Sequence, residues 1–176
     1  MKNILLGVSG SVAVYKAVEL TRLFYKESCR VKVVMSPSAL NFVSPLQFLS
    51  VGAQSCLSEF FNNGRSLGET HISLTDWADL FVVAPATAGS IAKMNLGLAD
   101  NLLIACFLAI GEKPVFIVPA MNSRMWKSFP VQDNITALRD RGIEIIPPRE
   151  GMLADGTTGK GPMEDIEKIA RLVLNP

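Results

Sequence analysis

Four short apolar segments recur along the chain, and each one ends in a turn of small or polar residues. They occupy residues 2–8, 31–35, 79–84 and 114–118. After each turn the apolar positions recur every three or four residues, which is the spacing of an amphipathic helix. A fifth apolar segment, residues 143–146, stops at two prolines. The pattern predicts a repeated unit of strand, turn and helix.

Continuous apolar strands that alternate with amphipathic helices are typical of a mostly parallel sheet covered on both faces. We therefore predict a Rossmann-like, doubly wound α/β fold that forms a single domain over residues 1–176. In such folds ligands bind beyond the carboxyl ends of the strands, so the turns after the first four strands are the predicted site. The Gly-rich segment at about 149–163 is predicted to be a flap over it.

Composition narrows the class of protein. The chain has 176 residues, 49% of them apolar and 19% charged, which is typical of one globular domain. The 17 Lys and Arg against 16 Asp and Glu are dispersed, so we predict no nucleic-acid partner. The longest apolar segment, residues 102–110, is much shorter than the ~20 residues that cross a bilayer. We predict that it is a buried helix and that the protein has no membrane partner.

The cysteines and the single histidine provide no metal site. Cys29, Cys56 and Cys106 lie far apart without CxxC spacing, which excludes a readable zinc ribbon or redox pair. One histidine with scattered carboxylates forms no ligand cluster. The amino terminus lacks the longer apolar stretch of a secretory signal, so the cytoplasm is the predicted location.

The predicted turns contain hydroxyls, an amide and helix-start N–H groups but no cation. Their polar and small members are Ser9, Gly10, Ser11, Ser36, Ser38, Thr87, Ser90 and Asn122. Such groups bind anions, so a phosphorylated cofactor fits better than a metal. The GxGxxG and GxxxxGK[ST] patterns are missing, which disfavours NAD and ATP. Each serine or threonine is also explained as a helix cap.

Two further features are candidates for chemistry. The imidazole of His71 suits a proton shuttle at neutral pH or a carboxylate partner, although a solitary histidine is more often a surface or packing residue. Residues 119–126 read PAMNSRMW, in which Asn122 can bind a carboxylate or an amide. The alternative is that Asn122 caps a short helix while Met121, Met125 and Trp126 pack beneath it.

Several motifs in order resemble those of a known family. They are GSVA at 10–13, His71, APATA at 84–88, GLADNLL at 97–103 and PAMNSRMW at 119–126. Over almost the whole chain they resemble the homo-oligomeric flavin-containing cysteine decarboxylases, in particular the phosphopantothenoylcysteine decarboxylases of coenzyme A biosynthesis. The last motif is highly specific for that family.

The resemblance implies a Rossmann-like flavoprotein with FMN as its cofactor. The implied FMN contacts are Gly10, Ser11, Val12, Ala13, Ser36, Ser38, Thr87, Ala88, Gly89, Ser90 and Ala120. His71 is the implied catalytic base or carboxylate partner, Asn122 binds the substrate carboxylate, and Met125 and Ala154 are further implied substrate contacts. A trimer, or a dodecamer of trimers, with the flavin near a subunit interface is also implied, and the mean hydropathy of +0.31 fits a buried interface.

The implied substrate is a small molecule or peptide that ends in cysteine. A cysteine carboxylate lacks an electron sink, and hydride transfer from the thiol-bearing carbon to FMN supplies one, which yields an enethiol and carbon dioxide. In the coenzyme A enzymes a flap cysteine then assists reduction of the enethiol. We expect conversion of 4'-phosphopantothenoylcysteine to 4'-phosphopantetheine.

The flap departs from the family pattern. The pattern is roughly GxLACG followed by GxGxM, and this chain has GMLADG at 151–156 and GKGPM at 159–163. Asp155 stands at the cysteine position and acts as a catalytic acid only if burial raises its pKa from about ~3.9. A solvated loop acid is the alternative. Two other functions stay open: an oxidative peptidyl-cysteine decarboxylase that releases an aminoenethiol, and a flavin-binding regulatory subunit without turnover.

Overall fold

The computed structural model describes residues 1–59, 61–62, 65–66 and 70–175. Ten strands are present in this part of the chain: β1 Asn3–Val8, β2 Arg30–Met35, β3 Ala53–Leu57, β4 Phe61–Asn62, β5 Arg65–Ser66, β6 Leu80–Ala86, β7 Val115–Pro119, β8 Glu144–Ile145, β9 Glu150–Met152 and β10 Thr158–Lys160. Six of them form a parallel sheet in the order β3-β2-β1-β6-β7-β8. The pairs β4–β5 and β9–β10 are antiparallel hairpins.

Helices connect the strands of the sheet. They are α1 Val14–Lys26, α2 Pro45–Ser50, α3 His71–Trp77, α4 Ala88–Leu96, α5 Leu102–Ala109, α6 Ser123–Trp126, α7 Phe129–Asp140 and α8 Ile166–Leu174. A short 3₁₀ helix, Pro37–Asn41, follows β2. Within the described part of the chain, none of these helices is long and apolar enough to span a bilayer.

The apolar segments of the sequence form the central strands because both faces of the sheet are covered. Side chains of β1 alternate between two core clusters, with Ile4 and Leu6 on one face and Leu5 on the other. Phe24 of α1 and Ile169 of α8 pack on the first face. The second face carries α3, α4, α5 and α7. The predicted doubly wound parallel sheet is confirmed.

One sheet strand was not predicted. The sequence of β3, Ala53–Leu57, contains Gln54 and Ser55, so it lacks a continuous apolar segment. It lies at the edge of the sheet, where only β2 pairs with it, and its side chains are mostly part-exposed. Edge strands bury less surface than central ones, and the apolar signal is correspondingly weak.

The sheet reverses its winding direction between β1 and β6. From β1 the chain winds outward through β2 to β3, and from β6 it winds the opposite way through β7 to β8. Ligands of doubly wound folds bind in the crevice at such a switch point, outside the carboxyl ends of the strands. The turns after β1 and β6 therefore frame the site.

Candidate active site

Ser9 joins the two strands at the switch point. Its side chain is fully buried; its Oγ donates to the Pro85 carbonyl at 2.8 Å and accepts from the Thr87 N–H at 2.9 Å. The Ser9 N–H donates to the same carbonyl at 3.1 Å. The Ser9 hydroxyl thus donates and accepts within the protein and is fully buried, so Ser9 joins the two turns of the site.

Gly10 allows the first turn to pack against the second. A Cβ at Gly10 would lie 2.5 Å from Ser38 Oγ and 2.8 Å from the Ser38 carbonyl carbon. Cβ atoms in proteins essentially never make contacts this short, so a side chain at this position would force the second turn to move. Ser38 Oγ lies 3.0 Å from Ser36 Oγ. The expected role of Ser36 as a side-chain cap is wrong, because Ser36 makes no capping hydrogen bond although it stands at the N-cap position.

A cavity of about 350 Å³ lies between the second turn and the start of α4, and we call it the hydroxyl cavity. Its lining includes four of the predicted hydroxyls, Ser36, Ser38, Thr87 and Ser90, together with Gly89. The capping role of Thr87 is confirmed, since its Oγ1 accepts from the Ser90 N–H at 3.3 Å. The sequence prediction that these hydroxyls converge is thus confirmed.

The lining of the hydroxyl cavity also includes a cationic side chain that the sequence analysis missed. Lys93, on the second turn of α4, lines it and forms an ion pair with Asp100. Asp100 Oδ1 accepts from Asn101 Nδ2 at 2.8 Å, and Asn101 Oδ1 caps α5 by accepting from the Ile104 N–H at 3.2 Å. The hydrogen bond from Lys93 lowers the pKa of Asp100 below its ordinary value. The GLADNLL motif could have pointed to this part of the cavity, because it contains Asp100 and Asn101, which both line it.

A second cavity, of about 490 Å³, lies between the strand ends and the β9–β10 hairpin, and we call it the flap cavity. Its lining includes Ser11, Val12, Ala13 and Ala120, all predicted FMN contacts. The structure thus divides the predicted FMN contacts between two cavities at the same sheet edge. Two others line neither cavity in the described structure: Gly10 packs on Ser38, and Ala88 packs on the core.

The flap cavity has two cations that sequence reasoning also missed. Lys16, from the first turn of α1, and Arg149, at the base of the hairpin, both line it. Arg149 Nε lies 3.2 Å from Asp165 Oδ1, and Lys16 Nζ lies 4.0 Å from the same oxygen. One carboxylate, that of Asp165, therefore lies beside both of these cations.

Asn122 faces the flap cavity and also caps α6. Its Oδ1 accepts from the Arg124 N–H at 2.8 Å, and its Nδ2 donates to Asp155 Oδ2 at 2.7 Å. The predicted cap is therefore confirmed, the remaining amide donor is engaged by Asp155, and the binding of a substrate carboxylate by Asn122 stays a prediction. Trp126 is buried beneath the helix as expected, but Met125 is 48% exposed, so the expectation that it packs there is wrong.

Asp155 and Ala154 lie in the turn of the hairpin and line the flap cavity. Asp155 Oδ1 accepts from the Thr157 N–H at 3.0 Å and from Thr157 Oγ1 at 2.6 Å. These bonds, followed by the one from Asn122, lower the pKa of the exposed Asp155 carboxyl. A catalytic acid would need the opposite shift, so the condition set for Asp155 as a proton donor is not met, and we expect a carboxylate.

His71 and Met125 are absent from the described lining of both cavities. His71 is the first residue of α3, whose start is fixed by a capping box between Thr70 and Ser73. The other end of α3 lies at the amino end of β1, where Asn3 Nδ2 donates to the Trp77 carbonyl at 3.0 Å. The structure therefore places His71 outside the two cavities, and its predicted role stays a prediction.

No group of three His, Cys, Asp or Glu side chains suited to a metal ion occurs among the described residues. The three cysteines are free thiols outside the flap. Burial raises the pKa of Cys56 and of Cys106 to about 12, so both are protonated near neutral pH.

Comparison with known proteins gives consistent matches. The chain matches the family described as Flavoprotein over residues 1–175. The coenzyme A biosynthesis bifunctional protein CoaBC of Bacillus subtilis is 43% identical over 171 residues, which are 97% of this chain and 42% of that protein. This chain therefore spans less than half the length of that relative. The probable phosphopantothenoylcysteine decarboxylase of Streptococcus mutans is 36% identical over 173 residues, 98% of this chain and 97% of that one.

Solved structures agree with these relatives. A mutant PPC decarboxylase complexed with pantothenoylaminoethenethiol has 34% sequence identity and a TM-score of 0.84, with 99% of both chains covered. The FMN binding protein AtHal3 has 34% identity and a TM-score of 0.82, with 98% of this chain and 95% of that chain covered. The chain belongs to the flavoprotein family, and within it to the flavin-containing cysteine decarboxylases.

Proposed function

We propose that this chain is an FMN-dependent decarboxylase that converts 4'-phosphopantothenoylcysteine to 4'-phosphopantetheine in coenzyme A biosynthesis. The observation that carries the proposal is the Asn122 amide, whose Nδ2 faces the flap cavity beside the switch point. A donor at this position suits the carboxylate that the reaction removes. The name of the Streptococcus mutans relative supports this substrate, and that of the Bacillus subtilis relative supports the role in coenzyme A biosynthesis.

FMN fits the hydroxyl cavity. The hydroxyls of Ser36, Ser38, Thr87 and Ser90 and the start of the nine-residue α4 are groups that bind phosphate or polyol oxygens, and Lys93 adds a positive charge. Bound by these residues, FMN would supply the hydride acceptor for the thiol-bearing carbon, which is what gives the carboxylate an electron sink. The similarity to AtHal3, an FMN binding protein, supports this assignment. Ser11, Val12, Ala13 and Ala120 remain proposed contacts from the flap-cavity side.

The residues of the flap cavity orient the substrate. The Arg124 N–H holds Asn122 Oδ1, so the amide presents its Nδ2 donor to the cavity. Lys16 and Arg149 supply positive charge for an anionic conjugate. Met152 and Leu153 of the hairpin are apolar and exclude water from the reacting carbon when the flap is closed. We infer that residues 149–163 act as this flap on a single flavoprotein domain over 1–176.

We also propose that the chain works as a homo-oligomer, a trimer or a dodecamer of trimers, in the cytoplasm. Val12 and Tyr15 are 64% and 60% exposed beside the flap cavity, and large exposed apolar side chains favour burial in an interface. In such an assembly His71 reaches the site of a neighbouring copy, which accounts for its position outside both cavities. Three free cysteines fit a reducing compartment.

The direct test uses purified protein loaded with FMN and incubated with 4'-phosphopantothenoylcysteine. We expect carbon dioxide and a product lighter by carbon dioxide alone, measured by mass spectrometry. A colourless preparation that takes up no FMN would refute the cofactor assignment. Protein that binds FMN but turns over no cysteine-terminated substrate would refute the enzyme and favour a flavin-binding regulatory subunit.

Asp155 favours a second candidate, oxidative decarboxylation of a cysteine-terminated peptide or conjugate to the aminoenethiol. The flap carries a carboxylate with a lowered pKa where reduction of the enethiol calls for a proton donor. Cys29, Cys56 and Cys106 are all outside the flap. A product lighter by carbon dioxide and two hydrogens would establish this reaction. Restoration of the thiol product in Asp155→Cys would locate the difference at this one position.

A further inference from the structure

The hairpin that carries Asp155 is seated on the backbone that leads into Asn122. The Met121 N–H donates to the Gly161 carbonyl at 3.1 Å. A Cβ at Gly161 would lie 2.3 Å from the Met121 carbonyl oxygen, and one at Gly159 would lie 3.0 Å from Ser123 Cβ. Two glycines therefore let β10 approach the β7–α6 connection at backbone distance. This contact fixes where the tip of the hairpin meets the Asn122 amide.

The tip is shaped so that the Asp155 carboxylate points at that amide. The Leu153 N–H donates to the Thr157 carbonyl at 2.8 Å, and Gly156 adopts a φ of +80°, which closes a tight turn. Thr157 binds Asp155 Oδ1 through its N–H and its hydroxyl. With Oδ1 held on one side, Oδ2 accepts from Asn122 Nδ2 at 2.7 Å.

We propose that Asp155 is an internal carboxylate ligand of Asn122 which the substrate carboxylate must displace, so that Asp155 sets the affinity of the site for carboxylate-bearing ligands. The inference rests on the proposed function, in which Asn122 binds the substrate carboxylate. Two carboxylates on one amide repel each other, so the substrate and Asp155 cannot both be well bound. Asp155 is exposed, so its carboxylate stays solvated when its hydrogen bond to Asn122 is broken.

The displacement determines which ligands Asp155 affects. A ligand that carries a carboxylate competes directly with Asp155, whereas a ligand without one has no reason to contact Asn122. Asp155 therefore weakens the binding of the substrate relative to that of the decarboxylated product. A merely structural role for Asp155 in the hairpin would change the affinity of both ligands alike.

The test compares two ligands that differ only in the carboxylate and that lack the reactive thiol, 4'-phosphopantothenoylserine and 4'-phosphopantothenoylethanolamine. Their dissociation constants are measured calorimetrically on FMN-loaded protein. Asp155→Ala is expected to bind the serine compound about fivefold to tenfold more tightly and the ethanolamine compound within about twofold of wild type. Glu150→Gln, which removes an exposed acid of β9, is the matched charge control and is expected to change neither value. Equal changes for both ligands, or no tightening with the serine compound, would overturn the proposal.

A second measurement is independent of the substrate assignment. Acetate is titrated into protein labelled with ¹⁵N, and the Asn122 side-chain resonance, assigned by its loss in Asn122→Ser, is followed. In Asp155→Ala we expect a saturable shift at an acetate concentration about fivefold lower than in wild type. Identical titrations would overturn the internal-ligand proposal. Failure of both phospho-ligands to bind any variant would instead count against the proposed function, while the acetate result still decides the role of Asp155.

Discussion

The two cavities lie at the same edge of the sheet but are built in different ways. The hydroxyl cavity is formed by turns that follow buried strands, and it is anchored by the fully buried Ser9 and by the Gly10 contact with Ser38. The flap cavity has one wall of this kind and one wall made by an exposed hairpin. Walls with few buried contacts open at lower free energy than walls joined to the core. The first cavity therefore suits a resident cofactor and the second an exchanging substrate.

The two cavities also differ in their charged side chains. In the hydroxyl cavity, the single cation Lys93 is matched by Asp100 within the described lining. In the flap cavity Lys16 and Arg149 share Asp165, while Asp155 is engaged by Asn122 and Thr157. Neutral hydrogen-bonding groups thus predominate in the hydroxyl cavity, whereas charged side chains of both signs, Lys16, Arg149 and Asp155, line the flap cavity.

The largest expected effect comes from Gly10→Ala, which is expected to distort the hydroxyl cavity by displacing Ser38. The added Cβ would lie 2.8 Å from the Ser38 carbonyl carbon, so the second turn must move. Overpacking of this kind costs about 1–3 kcal/mol of the free energy of unfolding, and we expect FMN affinity to fall at least about tenfold. The measurement is the flavin absorbance retained per protein after gel filtration. Wild-type flavin content in Gly10→Ala would contradict the assignment of this cavity to the cofactor.

Gly161→Ala is expected to distort the flap cavity and to leave the hydroxyl cavity unchanged. Its Cβ would lie 2.3 Å from the Met121 carbonyl oxygen and 2.8 Å from Leu153 Cδ2, so the hairpin cannot seat. We expect unchanged flavin content and a decrease of about tenfold or more in kcat/KM for the proposed substrate, because the closed flap positions the ligand. Gly151→Ala is the matched control, since its Cβ would meet the flexible Arg149 Nη1 at 3.0 Å. Loss of flavin in Gly161→Ala would show that the two cavities are one unit.

The hydroxyl cavity was more predictable from the sequence than the flap cavity. Strand ends, capping residues and small-residue turns are local features, and the parallel sheet brings them together by topology, which is why Ser36, Ser38, Thr87 and Ser90 share one cavity. Lys93 was missed because it lies two helical turns beyond the strand end, and only its long side chain reaches the cavity. Lys93 lies within α4 and not in one of the turns, so the pattern of the turns does not indicate it.

The contacts of the flap cavity depend on tertiary packing that no local pattern encodes. The sequence identified Asn122 and Asp155 as separate candidates, but their hydrogen bond depends on how β10 sits on Met121. Lys16 and Arg149 are far apart in the chain, and the fold brings both within 4.0 Å of Asp165. His71 lies outside both cavities, and the role that we propose for it in a neighbouring copy would leave no signal in the pattern of one chain.

The smallest expected effect sharpens the charge comparison and concerns Lys93→Met. The hydrogen bond from Lys93 lowers the folded-state pKa of Asp100, so the pair contributes stability above the ordinary pKa of aspartate and loses it as the pH falls through the folded-state value. Because Asp100 is exposed, the contribution is about 0.5 kcal/mol at neutral pH. Urea unfolding of wild type and Lys93→Met at pH 7 and near pH ~3 measures it. The difference in the free energy of unfolding should be present at pH 7 and shrink at the lower pH, and it should vanish at both values in an Asp100→Asn background. A difference that grows on acidification would refute the pairing as the source of the lowered pKa.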